Sequence, residues 1–282
     1  MTINRNKGIS GHSTSGFEGP GRHLKKRLSQ GEVLIGPLLE EYAKPSLIKL
    51  FQHAGFDFVF IEYEHGYFSL SDLSTTILSA RDNGLPVIAK TPQIERMEVA
   101  KLLEAGVSGI QLPRTETVEQ IETLISYMKF PPLGTRAIAP GYGNSDYRMV
   151  MVDDWQSWMD EQDKETTVVL HFETVKAYDK AEELVSVPGV DMVYCGPGDT
   201  SVEFGRPGDF NHPDVIKPME NVLELCKKYK IPFGTTPLDA ISAGKWAQKG
   251  ATFFEAESEV GFIRSASNSL IKDYRNNISK FV

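Results

Sequence analysis

One junction recurs along this chain. His53-Ala54-Gly55-Phe56-Asp57, Glu104-Ala105-Gly106-Val107-Ser108, Val187-Pro188-Gly189-Val190-Asp191 and Gln248-Lys249-Gly250-Ala251-Thr252 each end a helical segment and precede a short apolar run. Glycine suits that place because it takes the left-handed conformation that closes a helix. The spacings are too irregular for a solenoid and suit α-to-β turns in a βα series. Strands read near 33–38, 57–62, 86–90, 108–112, 167–172, 191–195, 231–235 and 252–256. That makes eight, the number a closed parallel barrel needs. Helices fall near 44–54, 71–83, 95–105, 117–128, 174–185, 214–229, 238–248 and 260–279. The strands are near-continuous apolar runs, as expected of parallel strands buried on both faces. The fold class is therefore α/β, a (β/α)8 barrel.

The chain has 282 residues, and no linker divides it after the start. Residues 1–20, rich in Gly, Ser, Asn and Thr, read as a flexible tail, and 21–282 as one barrel domain. The break between 131 and 165, with Gly134-Thr135-Arg136 and Gly141-Tyr142-Gly143, is placed to cover the barrel mouth or to reach a neighbouring subunit. A formal charge of -8 argues against nucleic acid as a partner. The one basic cluster, Lys25-Lys26-Arg27, reads as a solvated helical turn. No apolar run approaches a membrane span, and the first residues lack the apolar core expected of a signal peptide. Cys195 and Cys226 form no CxxC pair, which points to reduced thiols and a cytoplasmic setting.

Three strands end in acid. Thr167–Phe172 runs into Glu173, Asp191–Cys195 runs through Gly196-Pro197-Gly198 into Asp199, and Phe58–Ile61 runs into Glu62-Tyr63-Glu64-His65-Gly66. Carboxylates at the ends of apolar strands are costly to desolvate unless a positive group meets them, and in a barrel those ends converge on one mouth. Glu173 and Asp199 are too few for a calcium cage but suit Mg2+, with Mn2+ or Co2+ as substitutes, completed by substrate oxygens. A 2-oxo acid such as pyruvate or oxaloacetate supplies two, and the ion then acts as a Lewis acid toward the enolate. The alternative is that each carboxylate caps the helix after it. The Gly196-Pro197-Gly198 turn offers N–H groups to a substrate carboxylate and lacks the ending of a phosphate loop.

His65, flanked by Glu62 and Glu64, reads as an acid/base group or as a hydrogen-bonded structural histidine. Lys90 closes the third strand and has three readings: clamp for an anion, Schiff-base nucleophile, or ion-pair partner of Glu62 or Glu64. Arg136 offers a fork to a carboxylate or a salt bridge at a subunit contact.

Taken in order, Ala54-Gly55-Phe56-Asp57 with Glu64-His65-Gly66, then Gly134-Thr135-Arg136, Glu173-Thr174 and Gly196-Pro197-Gly198-Asp199-Thr200-Ser201 resemble the HpcH/HpaI-type metal-dependent pyruvate aldolases, a family that includes macrophomate synthase. The resemblance spans residues 22–279. It implies a modified (β/α)8 barrel whose last helix packs on a neighbouring subunit, in a homotrimer or homohexamer. It implies Glu173 and Asp199 as metal ligands, the Gly198 and Asp199 amides on the pyruvate carboxylate, and His65 as the acid/base residue or the group that sets up a metal-bound base. Three positions depart from the family pattern: Lys90 stands for a common Arg, His171 for a Gln, and Glu62 for an Asp. Lysine keeps the charge but loses the bidentate fork, and His171 adds a further ligand or base to the substrate wall.

The expected function is a divalent-metal-dependent lyase that joins or splits a 2-oxo acid and an aldehyde or other electrophile. Two alternatives stand beside it: a decarboxylating, condensing enzyme of the macrophomate synthase type, and a non-catalytic barrel.

Overall fold

The computed structural model describes residues 19–148 and 155–281. Residues 1–18, and with them nearly all of the expected tail, lie outside the described residues. Eight parallel strands close into a barrel in sequence order: β1 (Leu34–Leu39), β2 (Val59–Glu62), β3 (Val87–Lys90), β4 (Gly109–Leu112), β5 (Thr167–Phe172), β6 (Met192–Cys195), β7 (Phe233–Thr235) and β8 (Phe253–Ser258). Each matches an expected strand to within about two residues at either end. Gly55, Gly106 and Gly250 cap helices at φ 89°, 102° and 106°, while Gly189 makes the same left-handed turn before β6. A side chain at these angles would be strained.

Between the strands run α2 (Pro45–Ala54), α3 (Leu70–Asp82), α4 (Arg96–Ala105), α5 (Val118–Met128), α10 (Pro213–Tyr229) and α11 (Ala240–Lys249), close to their expected places. The single helix expected over 174–185 is two short ones, α7 (Val175–Asp179) and α8 (Ala181–Val185), divided at Lys180. Two helices were not expected, α6 (Trp155–Glu165) and α9 (Pro197–Glu203), and the helical turn read at Lys25-Lys26-Arg27 belongs to a longer helix, α1 (Pro20–Ser29). The last helix, α12, runs over Glu259–Ile278.

The barrel interior is layered. Phe58, Phe60, Ile88, Val169, Met192 and Phe253 fill the lower part, with Leu24 and Leu28 of α1 packed against them. Phe58 and Phe253 stack with centroids 3.9 Å apart. The stack has room only because β1 carries Gly36, whose Cβ would stand 2.4 Å from the Phe58 ring. The basic cluster is not a solvated turn. Lys25 pairs with Asp191 at 3.0 Å, and Arg27 with Asp57 and Glu32, both at 2.7 Å, so α1 is pinned by charge as well as by leucine.

The 131–165 region does not roof the mouth among the described residues. Arg136 N–H donates to the Lys129 carbonyl beside α5, Arg81 pairs with Asp146 at 3.0 Å, and Glu165 of α6 accepts the N–H groups of Gly19 and Gly21 at the start of α1.

Candidate active site

The C-terminal ends of the strands surround a cavity of about 320 Å³. Glu62, His65, Lys90, His171, Glu173, Gly198 and Asp199 all line it; Glu64 stands beside it as a partner of Lys90, and Arg136 does not line it.

Glu62 and Lys90 are register partners on β2 and β3. The Lys90 Nζ lies 2.6 Å from Glu64 and 3.4 Å from Glu62, with the side chain almost fully buried. Burial by itself depresses the ammonium, but Glu62, Glu173 and Glu64 together raise its pKa above the ordinary value. The ammonium form is thereby held, the reverse of what an imine-forming lysine needs. Glu62 is shifted upward, chiefly by burial and against the pull of Lys90. Its Oε1 also accepts the N–H groups of Glu64 and His65, which shapes the turn after β2. His65 stands at the rim, its side chain 69% exposed and its Nε2 3.6 Å from Glu64.

Glu173 follows β5 and is 2% exposed. The Arg114 N–H donates to its Oε1 at 2.8 Å. Burial pushes its carboxyl up to about 7; Lys90 and the Arg114 bond oppose, while Asp199 and Glu64 add to the rise. Asp199 lies in the first turn of α9, so the loop expected at Gly196-Pro197-Gly198 is a helix start, with Gly196 as N-cap and Pro197 at N1. No carboxylate cap bonds its own helix here: Thr174 caps α7 by accepting from the Ala177 N–H, and Gly196 has no side chain to cap with. The capping alternative for Glu173 and Asp199 therefore falls.

His171 is buried, and neither ring nitrogen has a hydrogen-bond partner. Burial, helped by the charges of Lys90 and His65, drives its pKa well below the usual range, so the imidazole is neutral. Its Nε2 is 3.4 Å from Glu173 and would be 2.3 Å from a Cβ at position 196. Only glycine there leaves the ring its place.

Arg136 belongs elsewhere. It is buried behind α5 with its guanidinium carbon 4.7 Å from the Phe130 ring centroid. Burial lowers its pKa to about 10, against Asp163 and Glu104, and Nη1 has no hydrogen-bond partner. Within this chain it meets no cavity at the mouth.

The sequence reading missed Gln111, Tyr194, Thr236 and Glu255, which also line the cavity. A strand-end acid was the signal used, and Glu255 sits mid-strand on β8 in Phe253-Phe254-Glu255-Ala256-Glu257. A lone acid at an inward position of an apolar strand was the available clue.

A model of the HpcH/HpaI aldolase/citrate lyase family matches residues 40–266. The chain belongs to that family. It is an enzyme, a lyase of the aldolase class. Over 229 residues it is 27% identical to the 2-dehydro-3,6-dideoxy-6-sulfogluconate aldolase of Pseudomonas putida, covering 81% of this chain and 88% of that one. It is 25% identical over 253 residues to the 5-keto-4-deoxy-D-glucarate aldolase of Enterobacter sp. strain 638, covering 89% and 96%. The solved HpcH/HpaI aldolase of Desulfitobacterium hafniense DCB-2 superposes with a TM-score of 0.85 at 26% identity, covering 89% of this chain and 96% of that one. Among the described residues no helix is long and apolar enough to cross a membrane.

Proposed function

We propose that this aldolase cleaves a 4-hydroxy-2-oxo acid to pyruvate and an aldehyde, with a divalent cation held by Glu173 and Asp199. The observation that carries the reading is the charge balance at the mouth. Glu62, Glu64 and Glu173 act on one lysine, Asp199 lines the same cavity, and burial drives Glu173 toward its neutral form. A negative cavity repels an anionic substrate until a dication enters. The donor set fits Mg2+, with Mn2+ or Co2+ as substitutes: two carboxylates leave positions for substrate oxygens. The ion supplies Lewis acidity toward the ketone. The remaining work falls to the chain. The N–H groups of Gly198 and Asp199 open α9 and are free for a carboxylate. The Lys90 ammonium adds positive charge to that wall. His65, at the rim beside Glu64, takes the hydroxyl proton as the C3–C4 bond breaks. Oxaloacetate decarboxylation, which forms the same enolate, is the expected side reaction.

EDTA-treated protein should lose cleavage of 4-hydroxy-2-oxo acids and regain it with Mg2+, Mn2+ or Co2+. Borohydride with pyruvate should leave Lys90 unmodified. Full turnover without metal, or a reduced imine at Lys90, would end this reading.

The same proposal includes assembly. Past Gly261, α12 shows Ile263, Leu270, Ile271 and Tyr274 to solvent, an apolar series at helical spacing that is exposed among the described residues. A neighbouring subunit of a homotrimer or homohexamer would cover it. Light scattering at micromolar concentration should give three or six times the mass of one chain; a monomer would rule it out. The two buried free thiols, Cys195 and Cys226, fit a cytoplasmic setting.

A further inference from the structure

Beneath the charged rim, β4, β6 and β8, with the residue just after β7, turn four neutral or neutralised polar groups inward. Gln111 Nε2 donates to Glu255 Oε1 at 3.2 Å. The Tyr194 hydroxyl, which interacts electrostatically with Glu255, pairs with the Thr236 hydroxyl. Glu255, Tyr194 and Gln111 are 3%, 2% and 0% exposed, whereas Thr236 is half-buried on the cavity wall. The series therefore runs along the cavity wall, from a buried carboxyl past the Tyr194 hydroxyl to the half-buried Thr236. Each hydroxyl both donates and accepts, so a proton can travel its length without a heavy atom moving far.

The surroundings keep that proton on Glu255 at neutral pH. Burial pushes its carboxyl up to about 8; Glu62 on β2 adds to the rise, while Tyr194, Lys90 on β3 and the Gln111 amide oppose it. On β1 its register partner is Gly36, which brings no charge. From β5, the nearby His171 is neutral and packs edge-on against Tyr194. A carboxyl serving only to fill the barrel would be poorly chosen. Gln111 Oε1 is left without a partner, and an ionisable group adds nothing to packing that an amide would not.

We propose that Glu255, acting through Tyr194 and Thr236, is the proton-relay residue that protonates the enolate carbon, on a route separate from His65. This rests on the enolate-forming reading above. When C3–C4 breaks, its electron pair enters the C2–C3 double bond and the hydroxyl proton goes to His65. The π pair then takes the Thr236 hydroxyl proton and the ketone re-forms at C2. Thr236 recovers a proton from Tyr194, and Tyr194 from Glu255. The Glu255 carboxylate is refilled from solvent after product leaves, and His65 returns its proton to solvent. No proton is gained or lost overall.

Pyruvate methyl hydrogen–deuterium exchange, followed by NMR with Mg2+-loaded protein, isolates this step because it needs no aldehyde. The wild-type rate should rise with pH and level off near 8 as Glu255 becomes the accepting carboxylate. Glu255→Gln keeps the shape but cannot ionise, and should slow exchange at least about tenfold and remove that inflection. Thr236→Val, on a half-buried residue, should do the same. Pyruvate and Mn2+ affinities, measured by calorimetry, should stay within about twofold. In metal-free protein, the infrared difference between wild type and Glu255→Gln should contain a protonated-carboxyl band at pH 7. Exchange at the wild-type rate in both variants, slow exchange with the inflection retained, or no such band would overturn the relay. Absence of exchange in wild type with every metal would instead defeat the enolate reading, and the relay with it.

Discussion

Glu173→Gln is expected to lower kcat/KM by about a thousandfold or more, equivalent to roughly 4 kcal/mol of lost transition-state stabilisation. Most of the affinity for Mn2+ should go with it. Glutamine has the same shape and still offers an oxygen to the Arg114 N–H, so the loop after β4 should keep its position. What would disappear is the negative charge that the carboxylate would offer a cation in place of its proton. The fold should gain rather than lose, because a side chain 2% exposed would no longer carry an ionisable group. Asp199→Asn should show a comparable loss of activity with little change in stability, since that carboxylate is exposed. Metal titration by calorimetry, with steady-state cleavage assays, checks both. Unchanged Mn2+ affinity in both variants would remove these residues from the metal site.

The largest expected effect on stability lies outside the cavity. Glu259 opens α12, and its buried carboxylate accepts the N–H of Glu40 with both oxygens, at 3.1 and 3.0 Å. Its Oε1 also takes the N–H groups of Glu41 and Tyr42, at 2.6 and 2.7 Å. Three successive amides after β1 thus form a nest around one side chain of the last βα unit, across the seam where β8 meets β1. Glu259→Ala should destabilise by about 3–5 kcal/mol, since each charge-assisted bond contributes more than a neutral one and the amides would be left partly buried and unpaired. The thermal midpoint should fall by roughly 10 °C. Glu259→Gln should lose about half as much, keeping one acceptor oxygen. Calorimetric melts that differ by less than about 1 kcal/mol from wild type would show that the seam is held by strand pairing alone.

What could be read along the chain was what local chemistry controls. The left-handed glycines and continuous apolar runs mark all eight strands, because a parallel strand must be apolar on both faces and a helix must be closed before the strand begins. Glu173, Asp199, Glu62, Lys90 and His65 were visible as polar groups at strand ends, and βα topology carries all such ends to one mouth. His171 was visible as a mid-strand histidine, though its lack of any partner for either ring nitrogen was not. The packing of α1 was hidden because Lys25, Lys26 and Arg27 look solvated in sequence, and only Asp191 and Asp57, on other βα units, make two of them partners. Arg136 misled for the opposite reason: a forked cation in a glycine-rich loop looks like a ligand-binding group until Phe130 is found beneath it.

Barrel order, strand ends and the acids they carry were determined by the sequence by itself, since each depends on residues within a turn or two of one another. Which inward side chains meet across the lumen was decided only by tertiary structure. Gln111, Tyr194, Thr236 and Glu255 come from four separate βα units, and their pairing depends on barrel closure and strand register, with Gly36 leaving room for the ring below them. Closure brings residues more than a hundred positions apart into a water-poor interior, and it is that loss of water, not the residue type, that pushes the Glu255 carboxyl up to about 8.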